Sequence, residues 1–145
     1  MKKINYFKLV LPAKSVNEGF SRAVTASFAA LADPTVEVLS DIKTAVSEAV
    51  TNAVVHGYKE KSGDIYIDAA LYDNGSIQIK IRDKGCGIDD ISRAMEPLFT
   101  TSGDERSGLG FTVMESFSDK LKVRSVPGRG TTVTITKYLT GKDKE

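Results

Sequence analysis

The chain of 145 residues has one cysteine, Cys86, and one histidine, His56. A single thiol excludes an intramolecular disulfide and a cysteine-based metal cluster, and it fits a reducing compartment. Long apolar runs are also missing. Nothing approaches the roughly 20 residues that cross a bilayer, and the basic start Met1-Lys2-Lys3-Ile4-Asn5 is not followed by a signal-peptide core. The expectation is a soluble, cytoplasmic protein with no membrane partner. Neither sign of charge dominates: 20 Lys and Arg against 19 Asp and Glu leave a net +1. The lysines look scattered along the chain, so no field recruits nucleic acid directly. Three nucleotide signatures are absent as well: the Walker G-x-x-x-x-G-K-[ST], a G-x-G-x-x-G after the first strand, and the motifs of two-lobed protein kinases.

What is present is an ordinary globular composition, 41% apolar and 27% charged, read as one domain over residues 1–145. Asn5 to Leu11 alternate, with Phe7, Leu9 and Leu11 on one side, as a strand ending at Pro12. Ser15 and Glu18 have capping-box spacing before a helix whose stripe is Phe20, Ala23, Val24, Ser27, Phe28 and Leu31, broken at Asp33-Pro34. A second helix spans Val36 to His56, with Ile42, Ala45, Val46, Ala49, Val50, Ala53 and Val54 on one face and Gly57 as a left-handed stop. Ile65–Tyr72 and Ser76–Arg82 form a hairpin around Asp73-Asn74-Gly75, a type I′ turn by composition. A short helix near Asp90–Met95, a polar loop, a helix from Ser107 or Gly108 to Phe117, and strands Lys120–Ser125 and Thr131–Tyr138 complete the order. The fold class is therefore α+β: a two-layer sandwich, one mixed, mostly antiparallel sheet with helices on one face.

Three constellations carry chemistry. Glu48 and Asn52, four apart on the second helix, stand over one another at the edge of its apolar stripe. A carboxylate there can take a proton, and an amide oxygen is a suitable hard ligand for Mg²⁺. Asp83-Lys84-Gly85-Cys86-Gly87 follows a strand, so backbone can approach a ligand closely while Asp83 accepts a hydrogen bond from an exocyclic amine such as adenine's. Ser107-Gly108-Leu109-Gly110 opens a helix whose bared N–H groups suit phosphate oxygens, with Arg106 beside it to neutralise charge. Each has a plainer reading alone: solvated helix residues, an Asp/Gly turn, a glycine-rich loop. Cys86 needs only to be small, and His56 reads as a partner of the helix dipole.

Together and in this order the three resemble the GHKL ATPase-kinase family with its Bergerat ATP-binding fold: Glu48-x-x-x-Asn52 as N box, Asp83-x-Gly85-x-Gly87 as G1 box, Gly108-x-Gly110 as G2 box. Within it the chain is most similar to the sporulation anti-sigma F factors, through Ala32-Asp33-Pro34-Thr35, Ser47 to Ala53, His56-Gly57-Tyr58, Pro97 to Thr101 and Glu105 to Gly108. The resemblance implies an ATP-dependent protein serine kinase that restrains a sigma factor and phosphorylates an anti-anti-sigma protein. It implies Glu48 as catalytic base, Asn52 as Mg²⁺ ligand, Asp83 and Thr132 at adenine, and Gly85 and Gly87 along base and ribose. Gly108 and Gly110 would lie at the phosphates of ATP or ADP and Arg106 near the γ-phosphate. Thr100, Thr101 and Ser107 would bind nucleotide along a lid running from Thr100 to Ser107. Arg22 matches a partner-binding arginine, though a solvated helix arginine reads equally well, and a homodimer is implied.

Three neighbouring readings remain. A stress-type anti-sigma or switch kinase would share these boxes. An ATP-gated binding module would not need Glu48. The ATP-binding half of a histidine kinase is disfavoured, because the sequence starts almost at its first strand and its one histidine lies within the N-box helix.

Overall fold

The computed structural model describes residues 1–95 and 110–139. Strand β1, Lys3–Pro12, turns Phe7, Leu9 and Leu11 toward the core and leaves Tyr6, Lys8 and Val10 exposed. Helix α1, Val16–Ala29, is rotated from the face its sequence suggests. Ser21, Thr25, Ala26, Phe28 and Ala29 are buried, whereas Phe20, Ala23 and Ser27 are exposed, as is Leu31 beyond the helix. The two hydroxyls can face inward because each donates to a carbonyl one turn back, Ser21 to Asn17 at 2.7 Å and Thr25 to Ser21 at 2.8 Å. The capping box does not form either. Ser15 sits in helical geometry without a side-chain cap, and Glu18 instead accepts from Arg22 at 2.7 Å and from Ser47.

Asp33, at φ 55°, ends a 3-10 turn over Ala30–Ala32. Thr35 then caps helix α2, Val36–Asn52, by accepting from the Val38 N–H at 3.1 Å. All seven stripe residues from Ile42 to Val54 are buried as their spacing requires. Strands β2, Asp64–Tyr72, and β3, Ser76–Asp83, meet at a turn closed by Gly75 N–H to the Tyr72 carbonyl. Only Gly75 there has positive φ, 85°, so the connection is a type I turn with a following left-handed glycine rather than type I′. Helices α3, Ile91–Ala94, and α4, Gly110–Ser116, precede strands β4, Lys120–Val126, and β5, Gly130–Tyr138. The expected start of the last helix at Ser107 or Gly108 lies outside the described residues.

Among the described residues five strands run β1-β2-β3-β5-β4, and the sheet expected to be mostly antiparallel is antiparallel at every pairing. Ile42, Val46 and Val50 of α2 share one buried core with Ile67, Ile79 and Ile135 of the sheet. Each such side chain contributes about 1.5–3 kcal/mol on leaving water. Phe28 of α1 meets Phe7 of β1 edge-on, ring centres 4.9 Å apart. The two-layer α+β order is thus the one the element pattern implies.

The opposite face of the sheet corrects one expectation. Register places Lys8 beside Asp68, Lys80 and Lys122 in line across Thr134, Arg82 and Arg124 across Thr132, and Lys120 beside Thr136. Lysines scattered in sequence therefore gather into a basic face that the net charge conceals.

Ion pairs divide by burial. Lys137 of β5 reaches Asp41 of α2 at 3.0 Å with both side chains largely covered, while Lys8–Asp68 at 3.4 Å lies in solvent. Asp41→Ala strands a covered ammonium and should cost about 2 kcal/mol; Asp68→Ala should stay within about 0.5 kcal/mol. Urea unfolding of the two variants checks the difference.

Candidate functional site

Glu48 and Asn52 sit one turn apart near the end of α2, both half-buried beside the apolar stripe. Beyond Asn52 the helix widens into a π turn over Ala53–Gly57, a distortion that recurs at functional sites. Gly57 does not take the left-handed geometry expected of a helix stop; Lys59 and Glu60, at φ 52° and 64°, reverse the chain instead. Glycine is required there for space. A β-carbon on Gly57 would stand 2.8–2.9 Å from the Asp83 carboxylate.

The loop after β3 is pressed onto this helix end. The Gly57 carbonyl accepts from the Cys86 N–H at 2.8 Å, and a β-carbon on Gly85 would lie 2.0 Å from that same oxygen. Tyr58 fastens the loop from outside: its hydroxyl accepts from the Lys84 N–H at 2.7 Å and donates to the Asp64 carbonyl at 2.6 Å. Burial, opposed by the bond from Lys84, raises its pKa. On the other side the Cys86 carbonyl accepts from Gly128 N–H at 2.6 Å, and Gly87 takes φ 76°. The loop is held between the N-box helix and the β4–β5 turn.

Asp83 is the buried carboxylate of this arrangement, 4% exposed. Burial pushes its pKa up, opposed by hydrogen bonds from the backbone of Gly85, at 2.9 Å, and of Thr131. A buried acceptor walled by backbone suits an exocyclic amine.

Thr132 does not join it. It stands opposite Arg82, on the basic face, whereas Thr131 stands opposite Asp83 and is 5% exposed; cross-strand partners share a face. The signal was in the sequence, since Thr131 is in phase with Val133 and Ile135. Sequence reasoning also missed Ser125, whose hydroxyl accepts from Ile88 N–H at 2.7 Å and lies 2.8 Å from the Thr131 hydroxyl.

Gly110 closes the assembly. A β-carbon on it would lie 3.7 Å from Glu48 Oε1, so Gly110 lies beside the Glu48 carboxylate. Thr100, Thr101, Arg106, Ser107 and Gly108 lie outside the described residues. Arg22 is away from the pocket on α1, donating to Glu18 at 2.7 Å and to Ser47, the neighbour of Glu48, at 3.2 Å. No group of three or more His, Cys, Asp or Glu that could hold a metal exists among the described residues. One amide beside one carboxylate fits an ion that keeps most of its ligands as water and phosphate oxygen.

Residues 11–137 match the family of the histidine kinase-like ATPase domain. The chain is 54% identical over 145 residues to an anti-sigma F factor of Thermoanaerobacter sp. (strain X514), covering 99% of this chain and 100% of that one. It is 50% identical over 137 residues to the anti-sigma F factor of Bacillus subtilis (strain 168), covering 93% of each. The chain belongs to the anti-sigma F factor family. The chain is similar in fold to a solved structure of the RsbU and RsbW domains of a Mycobacterium tuberculosis protein, with a TM-score of 0.69 at 25% identity. The match covers 94% of this chain and a third (33%) of that one. The ATPase-domain match makes ATP the nucleotide that the chain binds. No helix among the described residues is long and apolar enough to cross a membrane.

Two outcomes test the packing. Gly85→Ala drives a β-carbon into backbone and should cost more than about 3 kcal/mol and abolish nucleotide binding. Gly128→Ala, with nothing within 4 Å but φ 81°, should cost about 1–2 kcal/mol and keep binding. Thermal melts and nucleotide titration separate them. Asp83 is held protonated to higher pH in the fold than in the unfolded chain, so its contribution to stability is present in acid and lost as pH rises through the raised pKa. Asp83→Asn should therefore melt no lower than the native chain at neutral pH, and the advantage should shrink in acid; melts across pH check it.

Proposed function

We propose that the chain uses Mg·ATP to phosphorylate a serine of an anti-anti-sigma protein, and that it restrains a sigma factor of the sigma F type. The observation that carries the reading is the meeting of Glu48 with Gly110 at one end of the pocket while Asp83 lies buried at the other. Adenine at Asp83 would be flanked by Gly85 and Gly87, leaving the phosphates toward Gly110, Asn52 and Glu48. Asn52 would hold Mg²⁺, which supplies charge neutralisation on the phosphates when bound. The incoming serine gives its proton to the Glu48 carboxylate, its oxygen bonds the γ-phosphorus, and ADP leaves. Arg106, Thr100, Thr101, Ser107 and Gly108 complete the nucleotide contacts in this proposal.

A partner surface is supported by α1. Phe20, Ala23, Ser27 and Leu31 form an exposed line near Arg22, apolar area of the kind that protein contacts cover. Arg22 is oriented there by Glu18 and Ser47. We assign homodimerisation to β1, an edge strand that exposes Ile4, Tyr6 and Val10.

Transfer of γ-labelled phosphate from Mg·ATP to a candidate anti-anti-sigma protein tests the chemistry. Label is expected on a serine, and Glu48→Gln should reduce it by about 100-fold or more while ATP still binds. Stable sigma binding and nucleotide binding without any label would point to an ATP-gated binding module. Asn52→Ala should weaken nucleotide binding only when Mg²⁺ is present.

A further inference from the structure

We propose that Ser125 is a specificity-determining residue: it fixes the Thr131 hydroxyl as a hydrogen-bond acceptor and so sharpens the pocket's preference for adenine. This rests on the reading that the base lies at Asp83.

The Ser125 hydroxyl makes three close contacts: 2.7 Å to the Ile88 nitrogen, 2.9 Å to the Gly130 carbonyl oxygen and 2.8 Å to the Thr131 hydroxyl oxygen. Two oxygens at such distances need a proton between them. A carbonyl supplies none, so the Ser125 proton goes to Gly130. The Ile88 N–H fills one lone pair of Ser125, and the remaining contact must take its proton from Thr131. A hydroxyl has one proton and two lone pairs, which makes this assignment the one that satisfies all three contacts.

With its proton committed to Ser125, Thr131 has only lone pairs left. It stands directly across from Asp83 in the sheet, so this wall of the pocket holds two acceptors and no hydroxyl donor. The 6-amino group of adenine is a donor and matches that pattern, directly or through a water. The 6-oxo group of hypoxanthine or guanine is an acceptor and meets like against like. In Ser125→Ala the Thr131 proton is released and can turn toward a 6-oxo group.

The test compares affinities for ATP and inosine triphosphate, which differ at the 6-position, by titration calorimetry with Mg²⁺. The native chain should prefer ATP strongly. In Ser125→Ala the ratio of the two affinities should fall about tenfold, about one hydrogen bond's worth, with inosine triphosphate binding more tightly than to the native chain. Loosening of the Ile88 loop alone would weaken both nucleotides together and leave the ratio unchanged, which overturns the proposal. Thr131→Val should already have a reduced ratio, and adding Ser125→Ala to it should change nothing further; a further fall would also overturn the assignment. If Ser125→Ala does not fold, Ser125→Cys, with a weak donor and acceptor in similar volume, reads the same ratio. Failure of the underlying adenine reading shows differently: the native chain would not discriminate between the nucleotides, and Asp83→Asn would bind ATP as the native chain does.

Discussion

The site depends on one close approach of backbone to backbone. The loop after β3 lies so near the end of the N-box helix that the Gly57 carbonyl bonds Cys86 N–H, with no room for a side-chain carbon on Gly85 or Gly57. That contact buries Asp83 and raises its pKa. A buried carboxylate costs free energy unless something compensates it; here two backbone N–H groups do so in part.

Around this contact the fold acts as a frame. α2 carries the proton-accepting and metal-binding candidates on one edge of a stripe whose other side fills the core, so Glu48 and Asn52 cannot move without Ile42, Val46 and Val50. The sheet fixes Asp83 and Thr131 as direct partners by register, and Ser125 ties β4 to both β5 and the loop. The candidates on α2 and the exposed line beside Arg22 on α1 lie on separate elements. Ser47 links them, touching Arg22 from the residue before Glu48.

Much of this was legible in the sequence where periodicity was strong. The α2 stripe, the alternation of β1 and β3, and the order of elements followed from spacing alone, while the three boxes took their meaning from the family resemblance. What was not legible depended on tertiary detail. Ser21 and Thr25 look like surface residues, yet both are buried because each satisfies its hydroxyl within its own helix. Gly57 looked like a helix stop, and its reason emerges only when Asp83 is brought against it. Thr132 is what the resemblance implies, whereas the phase of Thr131 with Val133 and Ile135 was in the sequence and the sheet register sets Thr131 opposite Asp83. The basic face is likewise a product of register. Lysines and arginines far apart along the chain line up only once five strands are side by side.

The most direct measurement of the central claim, that nucleotide lies between the N-box helix end and the Asp83 loop, is amide chemical-shift mapping of the native chain with Mg·ATP. The largest changes should fall on Gly57, Gly85, Cys86, Ile88 and Thr131, with the basic face largely silent. Changes confined to Lys80, Arg82, Lys122 and Arg124, with the Asp83 loop unmoved, would contradict the account.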